Sequence, residues 1–264
     1  MPVKKAKQTE PASSTEIVDL GELLSSKAAY TGFKIWLVGT TPLITHAWSE
    51  KAKREMLQKQ VKATKGGKSA RDPHEDFVSS LYEMGQEGKK TIYGFPVTGI
   101  KNAILSSAHK DKGVARSIVQ TSLWLDADMV RVRPALAGAI CDMPLVRIYG
   151  GVPEMREDMV RIGKGLNKTS NLAYRGQFTH WAIKVSGRFN STVLSAQALA
   201  FLLAEAGMGI GIGEWRNEKK GIFGSFRVAT GEEQKDWEKF AIGKGPLPVA
   251  AEMANLTDLA QAAE

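Results

Sequence analysis

Residues 207–228 read GMGIGIGEWRNEKKGIFGSFRV and contain six glycines within 22 positions. An apolar run at 194–206 precedes them with the spacing of a helix, and residues 223–228 have the composition of a strand. Because glycine adopts positive φ without a steric penalty, the segment predicts a tight loop between the last helix and the last strand. Such a loop also lets a ligand approach the backbone closely.

The loop carries side chains suited to a polyanionic ligand. Arginine and lysine neutralise phosphates, and an exposed aromatic ring stacks on a base. The glycine spacing has no G-x-G-x-x-G frame and the chain has no Walker A motif, which excludes those nucleotide-binding loops. A purely structural connection, with the tryptophan in the core, is the alternative. The candidate ligand-binding residues are Gly211, Gly213, Trp215, Arg216, Lys219, Lys220 and Phe223.

A second segment, YGFPVTGIKNAIL at 93–105, predicts a strand that ends at Pro96 and a helix capped by Thr98. Free backbone N–H groups at a helix start attract anions, and Lys101 lies beside them. The segment therefore predicts a second phosphate contact. An ordinary exposed helix lysine is the alternative for Lys101.

The order of the predicted elements indicates an α+β fold with a largely antiparallel sheet. Alternation of apolar residues predicts a first strand at 33–38, short strands between 130 and 187, and one long strand at 178–189. Apolar spacing and capping residues predict helices at 49–63, 72–84, 98–108, 114–124 and 194–206.

Charge is distributed unevenly along the 264 residues, which carry a formal net charge of +8. Residues 51–71 hold eight basic residues and one acidic residue, whereas residues 231–264 hold three lysines and seven acidic residues. The basic stretch is either a solvated helix or a phosphate-backbone contact made by Lys51, Lys53 and Arg54. The acidic tail is either a segment with no binding role or a binding site for a protein partner.

The composition argues against several classes of protein. Cys141 is the only cysteine and the four histidines lack metal-ligand spacing, so we expect no disulfide, metal or cofactor. No stretch approaches 18 uncharged apolar residues, and residues 1–16 are a polar arm that is expected to be flexible. We therefore expect a cytoplasmic protein that does not contact membranes.

Residues 95–105 and 209–226, in this order, resemble the RAMP superfamily of CRISPR-associated proteins. The first segment is similar to that superfamily's I-P-G-x-S-x-K-G helix start, and the second to its glycine-rich loop before the last strand. The resemblance extends to the backbone subunits that polymerise along guide RNA and to phage-encoded proteins with a GIGEWR…GxFGxF ending. For a phage-encoded chain, the expected location is the cytoplasm of the bacterial host.

This resemblance implies a ferredoxin-like, RNA-recognition-motif-like sheet with helices and basic insertions. The domain would span 17–230, with insertions at about 49–90 and 134–172, followed by the acidic tail at 231–264. The implied function is sequence-tolerant binding of single-stranded RNA or DNA by a homo-oligomer that assembles as a filament. The mid-chain residues expected to contact the strand are Arg161, Lys164, Lys168 and Arg175.

Two other functions are open at this point. The resemblance also implies a metal-independent endoribonuclease, with His46 as the candidate general acid–base and Lys101 or Arg216 stabilising the phosphorane. The other is a phage protein-interaction module that binds its partner through the acidic tail. No motif indicates a contact with a 2′-hydroxyl, so the sequence does not distinguish RNA from DNA.

Overall fold

The computed structural model describes residues 30–61, 72–108, 113–132, 134, 136–162 and 169–249. These residues form an α+β fold with a large antiparallel sheet and six α-helices, which confirms the expected class. The strands are β1 (Tyr30–Gly39), β2 (Leu43–Thr45), β3 (Tyr82–Glu87), β4 (Lys90–Pro96), β5 (Leu123–Leu125), β6 (Asp128–Arg131), β7 (Asp142–Gly150), β8 (Glu154–Ile162), β9 (Thr169–Phe178), β10 (Trp181–Asn190) and β11 (Phe226–Val228). The helices are α1 (Glu50–Gln60), α2 (Pro73–Ser79), α3 (Val97–Ser107), α4 (Arg116–Ser122), α5 (Ala196–Glu205) and α6 (Gly231–Ala241).

The strands form a large sheet and a small one. Six strands of the large sheet lie in the order β11-β1-β10-β7-β4-β3, with β5 beside β10 and β6 beside β7. The small sheet has the order β2-β9-β8. The prediction of one strand over 178–189 is wrong, because the chain leaves the small sheet at Phe178 and enters the large sheet at Trp181. Alternation continues through the bend, so the pattern did not reveal the change of sheet.

One face of the large sheet is covered by α3 and α5, and this contact forms the main core. Ile100 and Ile104 of α3 and Leu202 of α5 are at most 1% exposed. They belong to the same cluster as Leu37 and Ile183 from the sheet. The three- and four-residue apolar spacing of these helices is explained by this burial.

The opposite face is covered by α6, which lies within the segment that the sequence assigned to the acidic tail. Trp237 is 2% exposed, and its ring stacks on Trp36 of β1 with 5.8 Å between centroids. The carboxylate of Glu238 pairs with Lys184 at 2.7 Å. Part of the acidic segment is therefore integral to the fold, whereas residues 250–264 lie outside the described residues.

Several element boundaries differ from the predictions because strand pairing overrides local helical spacing. Helix α2 ends at Ser79 and not near residue 84, since Tyr82 begins β3. Helix α4 ends at Ser122, because Trp124 pairs with Arg188 of β10. Residues 134–172, expected as an insertion, include β7, which lies inside the large sheet between β10 and β4.

Candidate nucleic-acid interface

The two segments that the sequence singled out meet at one cleft of about 480 Å³. One wall is the start of α3, and the other is the glycine loop, defined here as residues 207–224. The end of β2 and the start of α4 complete the rim with His46 and Arg116. The fold thus brings together residues that lie more than 100 positions apart in the chain.

The start of α3 lacks a side-chain cap, contrary to the prediction for Thr98. Pro96 occupies the capping position while it still pairs with Leu145 of β7, so the cap lies two residues earlier than predicted and the helix begins at Val97. Proline has no N–H and makes no side-chain capping bond here. Thr98 and Gly99 line the cleft within the first turn, where backbone N–H groups lack intrahelical acceptors.

The glycine loop adopts backbone conformations that require glycine. Gly211 and Gly213 have φ values of 74° and 81°, in the positive range that favours glycine. A Cβ at Gly213 would lie 2.4 Å from the carbonyl oxygen of Ile44. The backbone N–H of Glu214 donates to that same oxygen at 3.0 Å, so the loop is docked against β2.

His46 and Glu214 form a hydrogen-bonded pair in the cleft, with 3.4 Å between His46 Nδ1 and Glu214 Oε1. The hydrogen bond to His46 lowers the pKa of Glu214, and the charges of Arg175 and Arg216 lower it further. The Tyr82 hydroxyl donates to the His46 carbonyl oxygen at 3.2 Å. Burial raises the pKa of Tyr82, and the nearby Glu214 charge acts in the same direction.

Arg216 is held by the glycine loop. Its Nη2 donates to Glu218 Oε2 at 2.7 Å and its Nη1 donates to the Gly213 carbonyl oxygen at 3.1 Å. Burial alone would raise the pKa of Glu218, but hydrogen bonding from Arg216 and the charges of Arg216 and Lys219 lower it overall. Lys219 is more accessible, with 62% of its side chain exposed.

Arg116 is a cation of the cleft that sequence reasoning missed. It is exposed at the first position of α4 and lines the cleft. No motif surrounds it in the sequence. Arg116 reaches the site only because α4 packs beside α3. An isolated basic residue gives no sequence signal for such a contact.

Arg175 does not have the accessibility that its predicted role requires, whereas Phe223 is half-buried. Arg175 is 9% exposed, its Nη1 lies 3.6 Å from Asp158 Oδ2, and its Nε has no hydrogen-bond partner among the described residues. The guanidinium of Arg156 lies 4.5 Å above the Phe223 ring and donates to Asp158 at 2.8 Å. Arg175 thus belongs to a buried charge cluster on the small sheet, and one face of Phe223 is covered.

The other predicted contacts that the structure describes are not part of the cleft lining. Thr98 and Asn102 share the α3 face that lines the cleft, whereas Lys101 is not part of that lining. Lys220 is exposed in the glycine loop.

On α1, Arg54 pairs with Glu50 at 3.4 Å. Lys51 and Lys53 also lie on α1, Arg161 lies exposed on β8, and Lys164 and Lys168 fall outside the described residues.

Comparison with models of protein families, with curated proteins and with solved structures finds no match to this chain. Within the described ranges, no group of three or more His, Cys, Asp or Glu side chains is arranged to hold a metal ion. None of the helices in that part of the chain has the length and apolar character needed to cross a membrane. The chemistry of the cleft is therefore the basis for a functional proposal.

Proposed function

We propose that the chain binds single-stranded nucleic acid in the cleft, with a backbone phosphate between the start of α3 and the glycine loop. The observation that carries this proposal is the convergence of both sequence motifs on one cleft. Uncapped N–H groups at Thr98 and Gly99 supply hydrogen-bond donors on one wall. Arg116 and Lys219 supply positive charge at the same cleft.

The charges of the cleft are compatible with an anionic ligand. Each of the two carboxylates in the cleft has a local partner. Glu214 pairs with His46, and Glu218 pairs with Arg216. Arg216 and Lys219, which lie 2.7 Å and 3.9 Å from Glu218, offset the repulsion between that carboxylate and a phosphate, and Arg116 provides a further cation. The volume lies within the range of small-ligand pockets, which suits one nucleotide of a flexible strand better than a rigid duplex.

A ferredoxin-like core is part of the same proposal. The elements β1, α3, β7, β10, α5 and β11 follow a β-α-β-β-α-β order, and their strands lie side by side as β11-β1-β10-β7. This order supports the fold that the RAMP resemblance implies. An experimental structure in which β11 pairs with a strand other than β1 would contradict it.

Fluorescence anisotropy with labelled single-stranded RNA and DNA tests the binding proposal. We expect affinity for both strands to fall steeply with salt, because bound cations release counterions. Arg116→Glu is expected to weaken binding about tenfold and to reduce the magnitude of the salt slope by about 0.7 or more. Lys235→Glu, the same charge change at an exposed site on α6, is the matched control and should leave affinity unchanged. If the wild-type chain binds neither strand at low salt, the proposal is wrong.

Assembly along the strand is proposed on the RAMP resemblance alone. Sedimentation velocity and electron microscopy with oligonucleotides of increasing length test it. The expected result is a complex whose number of chains rises with oligonucleotide length. A single chain bound to every length would contradict filament formation without affecting the binding proposal.

A metal-independent endoribonuclease is the second candidate, and the His46–Glu214 pair in the cleft favours it. In this reaction a base removes the proton from a 2′-hydroxyl, that oxygen attacks the adjacent phosphorus, and the 5′-oxygen leaves with a proton from an acid. Labelled RNA incubated in EDTA should then be cut by the wild type but not by His46→Ala. RNA that stays intact with the wild type after long incubation would eliminate this candidate.

A further inference from the structure

Trp215 combines an unusual backbone conformation with an exposed aromatic ring. Its φ is 54°, and Lys220 is the other non-glycine residue with positive φ among those the structure describes. The left-handed region is sterically unfavourable for a bulky side chain. Trp215 is also 40% exposed, so its ring is not part of the buried core.

The hydrogen bonding of the loop imposes this conformation. The N–H of Phe223 donates to the Trp215 carbonyl oxygen at 3.1 Å. Gly221 permits this close approach, because a Cβ at that position would lie only 1.6 Å from the same oxygen. Three other positions of this loop with positive φ are glycines, namely Gly211, Gly213 and Gly224, whereas position 215 is a tryptophan.

No aromatic or cation–π contact among the described residues explains the choice of tryptophan at this position. Its ring makes no aromatic pair and no cation–π contact in the described part of the structure. The loop also exposes Met208 at 81% and Ile222 at 74%, beside the exposed Lys219 and Lys220. A partly exposed apolar ring on a strained backbone, with cations in the same loop, is suited to a ligand that is both flat and anionic.

We propose that Trp215 is the stacking platform for an unpaired nucleobase of the strand whose phosphate occupies the cleft. This inference rests on the proposed function. Glu214 and Arg216, on either side of Trp215, line the cleft, whereas Trp215 is outside its lining, so the stacked base would lie next to the bound phosphate and outside the cleft. A duplex offers no free base face, so stacking on Trp215 selects single strands. Phe223 is not equivalent, because Arg156 covers one of its faces.

Replacing Trp215 separates binding from folding. Trp215→Gly and Trp215→Asn both remove the ring and tolerate positive φ, so their urea midpoints should equal or exceed that of the wild type. Their affinity for a single-stranded 20-mer should fall about fivefold to a hundredfold, with an unchanged salt slope. Trp215→Phe should retain most of the affinity. Trp124→Thr, which removes an exposed tryptophan from β5, is the matched control and should bind like the wild type.

The outcomes distinguish this inference from the function on which it rests. If the wild type binds the strand and both variants without the ring bind it with the same affinity, the stacking role is overturned but the proposed function is not. Lowered urea midpoints or unfolding in both variants also overturn it, because they would make the ring a structural element. If no strand binds to the wild type, the proposed function fails and this inference fails with it.

Discussion

At Gly213 in the glycine loop, a side chain would meet both a conformational and a steric obstacle. Its φ is 81° and an added Cβ would lie 2.4 Å from the Ile44 carbonyl oxygen. Gly213→Ala is therefore expected to lower the free energy of unfolding by about 2 kcal/mol or more. Urea denaturation followed by circular dichroism measures the loss.

Gly209→Ala is the control for this substitution within the same loop. A Cβ at Gly209 meets no atom within 4 Å, and the residue lies in the π-helical turn Ala206–Ile210. We expect a change of less than about 1 kcal/mol, in either direction. If both variants lose the same free energy of unfolding, the contact between the loop and β2 does not explain the effect of a side chain at position 213.

Burial distinguishes a cation that the sequence selected from one that it overlooked. Arg116 and Arg175 are both basic residues without a motif around them, yet Arg116 is exposed at the cleft and Arg175 is 9% exposed. Charge alone indicated a polyanionic partner. Which cations reach the surface depends on how strands pair and helices pack, so the sequence selected Arg175 and overlooked Arg116.

Helix α6 is stabilised by local interactions at its N-terminus. Thr230 and Glu233 form a capping box, and Glu233 also pairs with Arg227 at 2.6 Å. The hydrogen bond from Arg227 is the main cause that lowers the pKa of Glu233 to about 2. A carboxylate whose pKa falls on folding adds stability above the unfolded pKa and loses that contribution as the pH falls.

The pH dependence of stability tests this arrangement. Glu233→Gln should lower the free energy of unfolding by about 1–2 kcal/mol at pH 7, after allowance for solvent screening. The difference from the wild type should shrink as the pH falls from 4.5 towards 2. Glu232→Gln, an exposed neighbour in the same turn, serves as the control. A difference that stays constant across this range would contradict the role of the Glu233 carboxylate.

Elements were predicted well where a capping residue or a simple apolar period marked them. Asp72 accepts hydrogen bonds from the first turn of α2, and Ser49 accepts one from Ala52, as the sequence predicted. The start of α3 and the bend after Phe178 were not predicted. Both depend on pairing with strands distant in the sequence, which local spacing does not encode.

At the scale of the whole molecule, α6 and the two helices on the opposite face share one large sheet. Trp237→Ala removes a side chain packed against Trp36 and is expected to cost about 3–5 kcal/mol. Because β1 also contributes Leu37 to the main core, unfolding should be a single transition. Far-UV and near-UV circular dichroism measure it in wild type and variant. Loss of α6 with an unchanged main transition would instead make the acidic segment an independent tail.

The sequence by itself determined the α+β class, most of the helices, and the two segments that form the cleft. These features follow from local periodicity, capping and the conformational freedom of glycine. Tertiary structure alone decided that His46 meets Glu214, that Arg116 joins the cleft, and that Trp215 is exposed while Arg175 is buried. The physical reason is that accessibility and pairing arise from long-range packing, whereas residue type and spacing specify only local conformation and charge.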